Sequence, residues 1–264
     1  MPVITLTSDW NQKDYYLSAV KGQILKKDNT IRIVDINHNI LTFNAVQAAF
    51  IIRNSFHHFP ERSVHINFVN TERSDNQYFI AAEAHGHFFI GNDNGAFSLM
   101  YNDTAKRIVK LESLETETYE SFPGLFTFTN AACDILKKGD LSQSGKEFSN
   151  LQQTIPLRAT IEKNSITGTV IYTDSYGNVI TNIKKELFER VGKQQSFEIY
   201  VQSKHYMINK INKAYSSVIS GELVAVFNSA GLLEIAINNG NAKKLLNLGL
   251  NSNIRIEFVG NGER

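Results

Sequence analysis

The stretch VITLTSDWNQKDYYLSAVKGQILKKDNTIRIVDIN, residues 3–37, decides the fold. VITLTS is β-branched and apolar and reads as a strand, DYYLSAVKGQILKK as a helix, and IRIVDIN as a second strand. Strand, helix and strand at this spacing form the unit of a parallel sheet. The alternation continues outward. FNAVQAAFIIRNSFHHF (residues 43–59) is a predicted helix, and VHINFVN, QYFIAAEA and HFFIG are further strands. An α/β domain with a mostly parallel sheet covered by helices on both faces follows. The alternation is lost over residues 111–120, and FTFTNAACDILKKGD supplies one more helix, closed by Lys137, Lys138 and Gly139.

From about Ile155 the pattern changes to strands and turns only: LRATIE, GTVIYTD, NVITNI, SFEIYVQ, HYMINKI, LVAVFN, LLEIAI and IRIEFV, punctuated by glycines. These predict a small antiparallel β-barrel domain. The polar stretch 143–156 is the boundary, giving an α/β domain over residues 1–150 and a barrel over 156–264.

Composition narrows the function. The chain has 264 residues, 42% of them hydrophobic, which is enough for real cores. Its 27 basic and 26 acidic side chains nearly cancel, so no field gathers nucleic acid or an anionic membrane. No apolar run approaches the roughly 20 residues of a spanning helix. The start MPVITLTSD reads directly as a strand, and the single Cys133 forms no internal disulfide, so a cytoplasmic location is expected. Among the histidines, His57 with His58 and His85 with His87 lack a third ligand at a metal-site spacing. No metal or cofactor is expected, and the His85 and His87 pair is placed at a surface hairpin turn.

Four strings carry candidate chemistry. TSDWNQKDYY (residues 7–16) sits at the C-terminal end of the first strand, where open α/β sheets bind ligands. Asp9 there suits the two hydroxyls of a ribose. Asp14 is a ligand group or a helix N-cap. In TDSYGNVITNI (residues 173–183), Asn178 offers donor and acceptor to an adenine edge and Tyr176 a flat face for a base; a plain hairpin turn explains the same residues. GNDNGAFS (residues 91–98) and FNSAGLLEIAINNGNA (residues 227–242) read, taken alone, as turns.

These strings, with IVDINHNI, FNAVQAAF, VHINFVN and SGELVAVFNSAG, occur in the order and approximate spacing of one family. The chain resembles the S-adenosylmethionine hydroxide adenosyltransferases and the related fluorinases and chlorinases, over nearly its whole length. DSYGNVITNI is the most specific match. The resemblance implies an α/β domain followed by a β-barrel, homotrimers, and a site between the first domain of one subunit and the second of its neighbour. It further implies adenosylmethionine as ligand, with water or halide attacking the 5′ carbon as methionine departs.

By position, Asp9 resembles the ribose-diol acceptor, and Asp14, Tyr16 and Asp174 fall where the methionine ammonium is bound. Phe43 stands as an aromatic wall beside the ribose, and Tyr176 and Tyr215 as rings sandwiching adenine. Asn178 reads the adenine edge, Ser229 contacts the methionine carboxylate, and Asn238 and Asn239 lie on the adenine-side loop. The hydrolases carry an Asp, Arg and His set around the water. Alignment puts Asn70, Gln77 and Pro123 at those positions, with Leu125 and Phe126 at the Arg-Asp that follows the His. Asn70 and Pro123 offer no base at neutral pH, so the expectation divides among a hydrolase with a rebuilt water site, a nucleoside-binding protein without turnover and a structural trimer that has lost both functions. Glu72, Arg73 and Asp75 are the local substitutes. The halogenase pocket is not reproduced by Asn70, Arg73 and Gly124, and Ala230 stands where halogenases have Arg.

Overall fold

A computed structural model describes residues 2–72, 77–101, 104–112, 122 and 124–259, with the backbone alone for 203–205. The chain divides into two compact units, Met1–Ile155 and Pro156–Arg264.

The first unit contains β1 (Ile4–Ser8), α1 (Tyr15–Lys27), β2 (Ile33–Asn37), α2 (Ala45–Arg53), β3 (Val64–Phe68), β4 (Phe79–Ala84), β5 (His87–Asn92), α3 (Ala96–Tyr101), β6 (Ala105–Leu111), α4 (Leu125–Lys138) and β7 (Gly145–Glu147). Its sheet has the order β2-β1-β3-β5-β4-β6-β7. The first four of these strands are parallel, β4 is antiparallel to both neighbours, and β7 opposes β6. Five of the seven strands therefore point one way, as the alternating pattern requires.

Every residue of β1, β3 and β5 is buried, because helices cover both faces. Ile4, Leu6, Val64, Ile66, Phe88 and Ile90 pack with Val20 and Ile24 of α1 and Phe128, Ala132 and Ile135 of α4. On the opposite face, Phe89 packs with Ala49 and Ile52 of α2 and with Phe97 and Met100 of α3. Cys133 is buried in the first of these cores.

The predicted second helix is shorter than residues 43–59. It ends at Arg53 and, after a break, continues only as the single 3₁₀ turn Phe56–His58. His87 is also not at the surface. It lies on β5 with 4% exposure, and its Nδ1 is 3.2 Å from Nε2 of His65, whose Nδ1 shares a 2.7 Å hydrogen bond with Thr5. Only His85, with φ of 51°, occupies the turn. Phe56 meets the His87 ring edge-on and Phe89 stacks on His65, while the bonds to Thr5 and between the two imidazoles engage their buried nitrogens.

The second unit contains β8 (Thr160–Glu162), β9 (Ser165–Thr173), β10 (Val179–Lys184), α5 (Lys185–Gly192), β11 (Ser196–Val201), β12 (Ser203–Ile208), β13 (Ile211–Asn212), β14 (Leu223–Phe227), β15 (Leu232–Ile237), α6 (Ala242–Leu245) and β16 (Asn253–Val259). Its strands follow the order β12-β11-β16-β9-β10-β15-β14-β13, with β8 beside β9. All pairs but β13 with β14 are antiparallel, and β12 approaches β14 so that the sheet nearly closes into a barrel. Ile166, Val170, Val179, Ile199, Ile235 and Ile256 fill its interior.

The expectation of strands and turns only is corrected by α5 and α6. KELFERVG forms a helix because Leu187, Phe188 and Val191 share one face and pack on the barrel core.

No helix among the described residues is long and apolar enough to cross a membrane.

Candidate functional site

Parallel β1, β2, β3 and β5 end at the same edge of their sheet, so the loops that follow them meet there. Asp9 is the first residue beyond β1. Its Oδ2 accepts the backbone N–H of Phe43 at 2.8 Å and that of Asn70 at 3.4 Å. Phe43 (φ 63°) and Asn70 (φ 53°) both adopt the left-handed conformation, which turns their N–H groups inward. One carboxylate oxygen thereby ties together three loops, while the Phe43 ring stays 62% exposed. The neighbouring loop is fixed by a 2.8 Å bond from Asn11 N–H to the His38 carbonyl and by a 2.7 Å bond between Ser8 and His38 Nδ1. Burial lowers the His38 pKa against the opposing pull of Asp35, whose carboxylate lies 3.3 Å from Nε2.

Asp14 occupies the N-cap position of α1 with extended backbone, yet its side chain makes no cap hydrogen bond. Its carboxylate is exposed. Tyr16, two residues on, packs against Trp10 and Phe122 with ring centroids 5.6 Å and 5.0 Å away, and Trp10 in turn lies on Phe68 at 4.8 Å. Trp10 was not among the sequence candidates, although it directly follows Asp9.

The string GNDNG is more than a surface turn. Asn92, Asp93 and Asn94 are buried. Asn92 Nδ2 reaches the carbonyls of Asn70 (2.9 Å) and Glu72 (3.1 Å) and Oε1 of Gln77 (3.2 Å), and Asn94 Nδ2 donates to Val69 (2.9 Å). Two amides from the end of β5 therefore hold the loop that carries Asn70. Asp93 accepts the Gln152 N–H with both oxygens at 3.0 Å, and burial still raises its pKa. Gly95 is obligatory, since at φ 86° a Cβ would stand 2.0 Å from Thr154 Oγ1. The Glu72 side chain is exposed, and Arg73, Asp75 and Pro123 lie outside the described residues. Leu125 and Phe126 open α4, behind Gly124 at its left-handed N-cap.

In the barrel unit, residues 174–178 form the hairpin between β9 and β10. Asp174 Oδ1 accepts the N–H groups of Tyr176 (3.0 Å) and Asn178 (2.8 Å), and its Oδ2 accepts Asn178 Nδ2 at 3.1 Å. Asp174 and Asn178 are thus brought together as one rigid turn, and Tyr176 projects from it 77% exposed. Gly177, at φ 84°, ties the hairpin to α6: its carbonyl accepts the Lys243 N–H at 2.8 Å.

Tyr215 lies in the 3₁₀ turn Tyr215–Ser217, and its hydroxyl donates to Glu234 at 2.7 Å. Burial, this hydrogen bond and the charges of Glu234 and Asp174 together raise its pKa. Ser229 and Ala230 are exposed on the turn after β14. Asn238 gives its side-chain N–H to the Val218 carbonyl at 2.7 Å, while Asn239 is exposed at φ 54°. Among the described residues no cluster of three His, Cys, Asp or Glu side chains is arranged to hold a metal.

Models of the SAM hydroxide adenosyltransferase N-terminal domain and C-terminal domain match residues 4–145 and 168–255. The chain belongs to the SAM hydroxide adenosyltransferase family. An (R)-S-adenosyl-L-methionine hydrolase of Methanocaldococcus jannaschii is similar to it at 28% identity, over 98% of this chain and 97% of its own. A protein of the same name from Salinispora tropica is 23% identical over 97% of each. Among solved structures, an uncharacterized conserved protein from Thermotoga maritima shares the fold with a TM-score of 0.88 at 24% identity, over 96% of this chain and 99% of its own. A conserved hypothetical protein from Thermus thermophilus gives 0.75 at 25% identity, over 98% of this chain and all of its own.

The sequence candidates form two groups, one in each unit. Asp9, Phe43 and Asn70 are joined by hydrogen bonds, and Asp174, Tyr176 and Asn178 share a turn. Asn92 and Asn94, inside GNDNGAFS, and Glu234, inside FNSAGLLEIAINNGNA, were not singled out from their strings. Their only sequence signal is a polar residue set inside an apolar or turn string.

Proposed function

We propose that this protein hydrolyses S-adenosyl-L-methionine to adenosine and L-methionine. The carrying observation is the Asp9 carboxylate beyond β1, with Oδ2 fixed by two backbone N–H groups; a ribose diol is the ligand that suits a carboxylate so held. Family membership and the hydrolase names of the relatives support the same reaction.

In the reaction a water oxygen bonds the 5′ carbon, the carbon–sulfur bond breaks with its electron pair moving to sulfur, and one proton is released. The departing sulfur becomes neutral and needs no acid. Catalysis therefore rests chiefly on placing water in line with that bond and excluding competitors. Asn70 and Gln77 suit that positioning role, since an amide orients water but takes no proton. Asp9 holds the ribose, Phe43 walls it, and Tyr176 and Tyr215 enclose adenine with Asn178 at its edge. Asp14, Tyr16, Asp174 and Ser229 receive the amino-acid end, and Asn238 and Asn239 border the adenine side. The protein would act in the cytoplasm as a homotrimer with its sites at subunit interfaces, where a neighbouring subunit would cover the exposed Phe43 and Tyr176 rings.

A second reading, ligand binding without turnover, is favoured by the amides at Asn70 and Gln77. Overnight incubation with adenosylmethionine in both sulfonium configurations, followed by chromatography, decides between them. Equal amounts of adenosine and methionine are expected, with loss in Asp9→Ala. Thermal stabilisation by adenosine without product would select the binding protein.

A further inference from the structure

We propose that Glu234 is a positioning residue that sets the distance between the two ends of the ligand-contacting face of the barrel. Glu234 stands in the middle of β15, opposite Ile180 of β10 and Val226 of β14, and is only 3% exposed. Val224, Val226 and Ala236 share its face, so an apolar residue would fit the site. Its hydrogen-bond partners are two neutral groups, the Tyr215 hydroxyl at 2.7 Å and Asn228 Nδ2 at 3.1 Å. A buried carboxylate with neutral partners costs stability that an apolar side chain would not. What it supplies instead is geometry.

Each oxygen holds a different segment. Oε1 holds Tyr215 and with it the orientation of a ring that remains 43% exposed. Oε2 holds Asn228, whose Oδ1 accepts the N–H groups of Ala230 (3.0 Å) and Leu232 (3.2 Å) and so shapes the turn bearing Ser229. One planar carboxylate thus links the adenine-facing ring to the carboxylate-facing turn. This role rests on the proposed assignment of Tyr215 and Ser229 to opposite ends of adenosylmethionine.

The test measures adenosine Kd by calorimetry and KM and kcat for adenosylmethionine. Glu234→Ala is expected to raise both Kd and KM about tenfold, the factor one hydrogen bond at a charged group commands, with kcat within about twofold. Tyr215→Phe should raise adenosine Kd to a similar extent, and adding it to Glu234→Ala should add nothing. Asn228→Ala should raise the KM while leaving adenosine Kd unchanged. Glu234→Gln keeps one acceptor and the fold, and should fall between wild type and Glu234→Ala. Wild-type constants in folded Glu234→Ala or Glu234→Gln, or additive effects with Tyr215→Phe, would overturn the positioning role alone. A wild-type chain that neither binds adenosine nor consumes adenosylmethionine overturns the functional reading and this role with it.

Discussion

The backbone N–H of Phe43 donates to Asp9 Oδ2 at 2.8 Å, joining residues 34 positions apart at the edge of the parallel sheet. The same oxygen takes the Asn70 N–H, so Asp9 acts on structure through Oδ2, and the proposed ribose contact falls to its other oxygen. Two substitutions separate these roles. Asp9→Asn keeps an acceptor for Phe43 and should leave stability within about 0.5 kcal/mol, while kcat/KM falls at least about tenfold with the loss of a charged partner for the diol. Asp9→Ala removes the acceptor as well and should cost about 1–2 kcal/mol in urea unfolding. Equal stabilities for the two variants would argue against the loop-tying role.

Asn92 is expected to matter for turnover without touching ligand. Its amide holds the Asn70 and Glu72 carbonyls, and truncation to Ala leaves both without that donor. Asn92→Ala should lower stability by about 1–3 kcal/mol and slow adenosine release well beyond what the melting shift explains at 25 °C. Asn92→Asp should be worse, because a carboxylate would face two carbonyl oxygens. If Asn92→Asp turned over like the wild type, the clamp would have no bearing on the site.

Much of this was legible in the sequence because its signals are local. Strand β1, helix α1 and strand β2 each declare themselves within about ten residues, and Asp9 stands at the strand end where the fold class puts ligands. Helix α5 was not legible, since its eight residues lie between strands and show only three apolar positions. His87 was read as a turn residue because its burial depends on His65 and Phe56, 22 and 31 positions away. Asn92 and Glu234 act through partners distant in sequence, and a single polar letter gives no sign of that.

Gly177 offers a test of the hairpin as a rigid unit. At φ 84° it has the left-handed conformation, and a Cβ there would lie 2.2 Å from the Asn241 side chain. Asn241 caps α6 by accepting the Lys244 N–H at 2.8 Å, so the clash spreads from the hairpin to the helix. Gly177→Ala should cost about 2–4 kcal/mol, combining backbone strain with overpacking. Adenosine affinity should fall with it, because Asn178 and Tyr176 move together. A melting temperature unchanged in calorimetry would show that the hairpin and α6 are not mechanically joined.

Acid should destabilise the first unit through its buried imidazoles. Burial, and then the charge of His87, lowers the His65 pKa from 6.5 to about 3. The unfolded chain therefore binds a proton between about pH 6.5 and 3 that the folded chain does not. Stability is fully present above pH 6.5 and falls as the pH drops through that window, by up to about 1.4 kcal/mol per pH unit for this residue. His87 adds to the slope: burial lowers its pKa, His85 and His57 reinforce the shift, and Glu61 opposes it. Melting temperatures measured from pH 7.5 to 4.5 should decline below about pH 6.5. His65→Asn, which does not titrate, should be less stable at pH 7.5 yet show a shallower decline. Parallel curves for the two proteins would assign the acid sensitivity elsewhere.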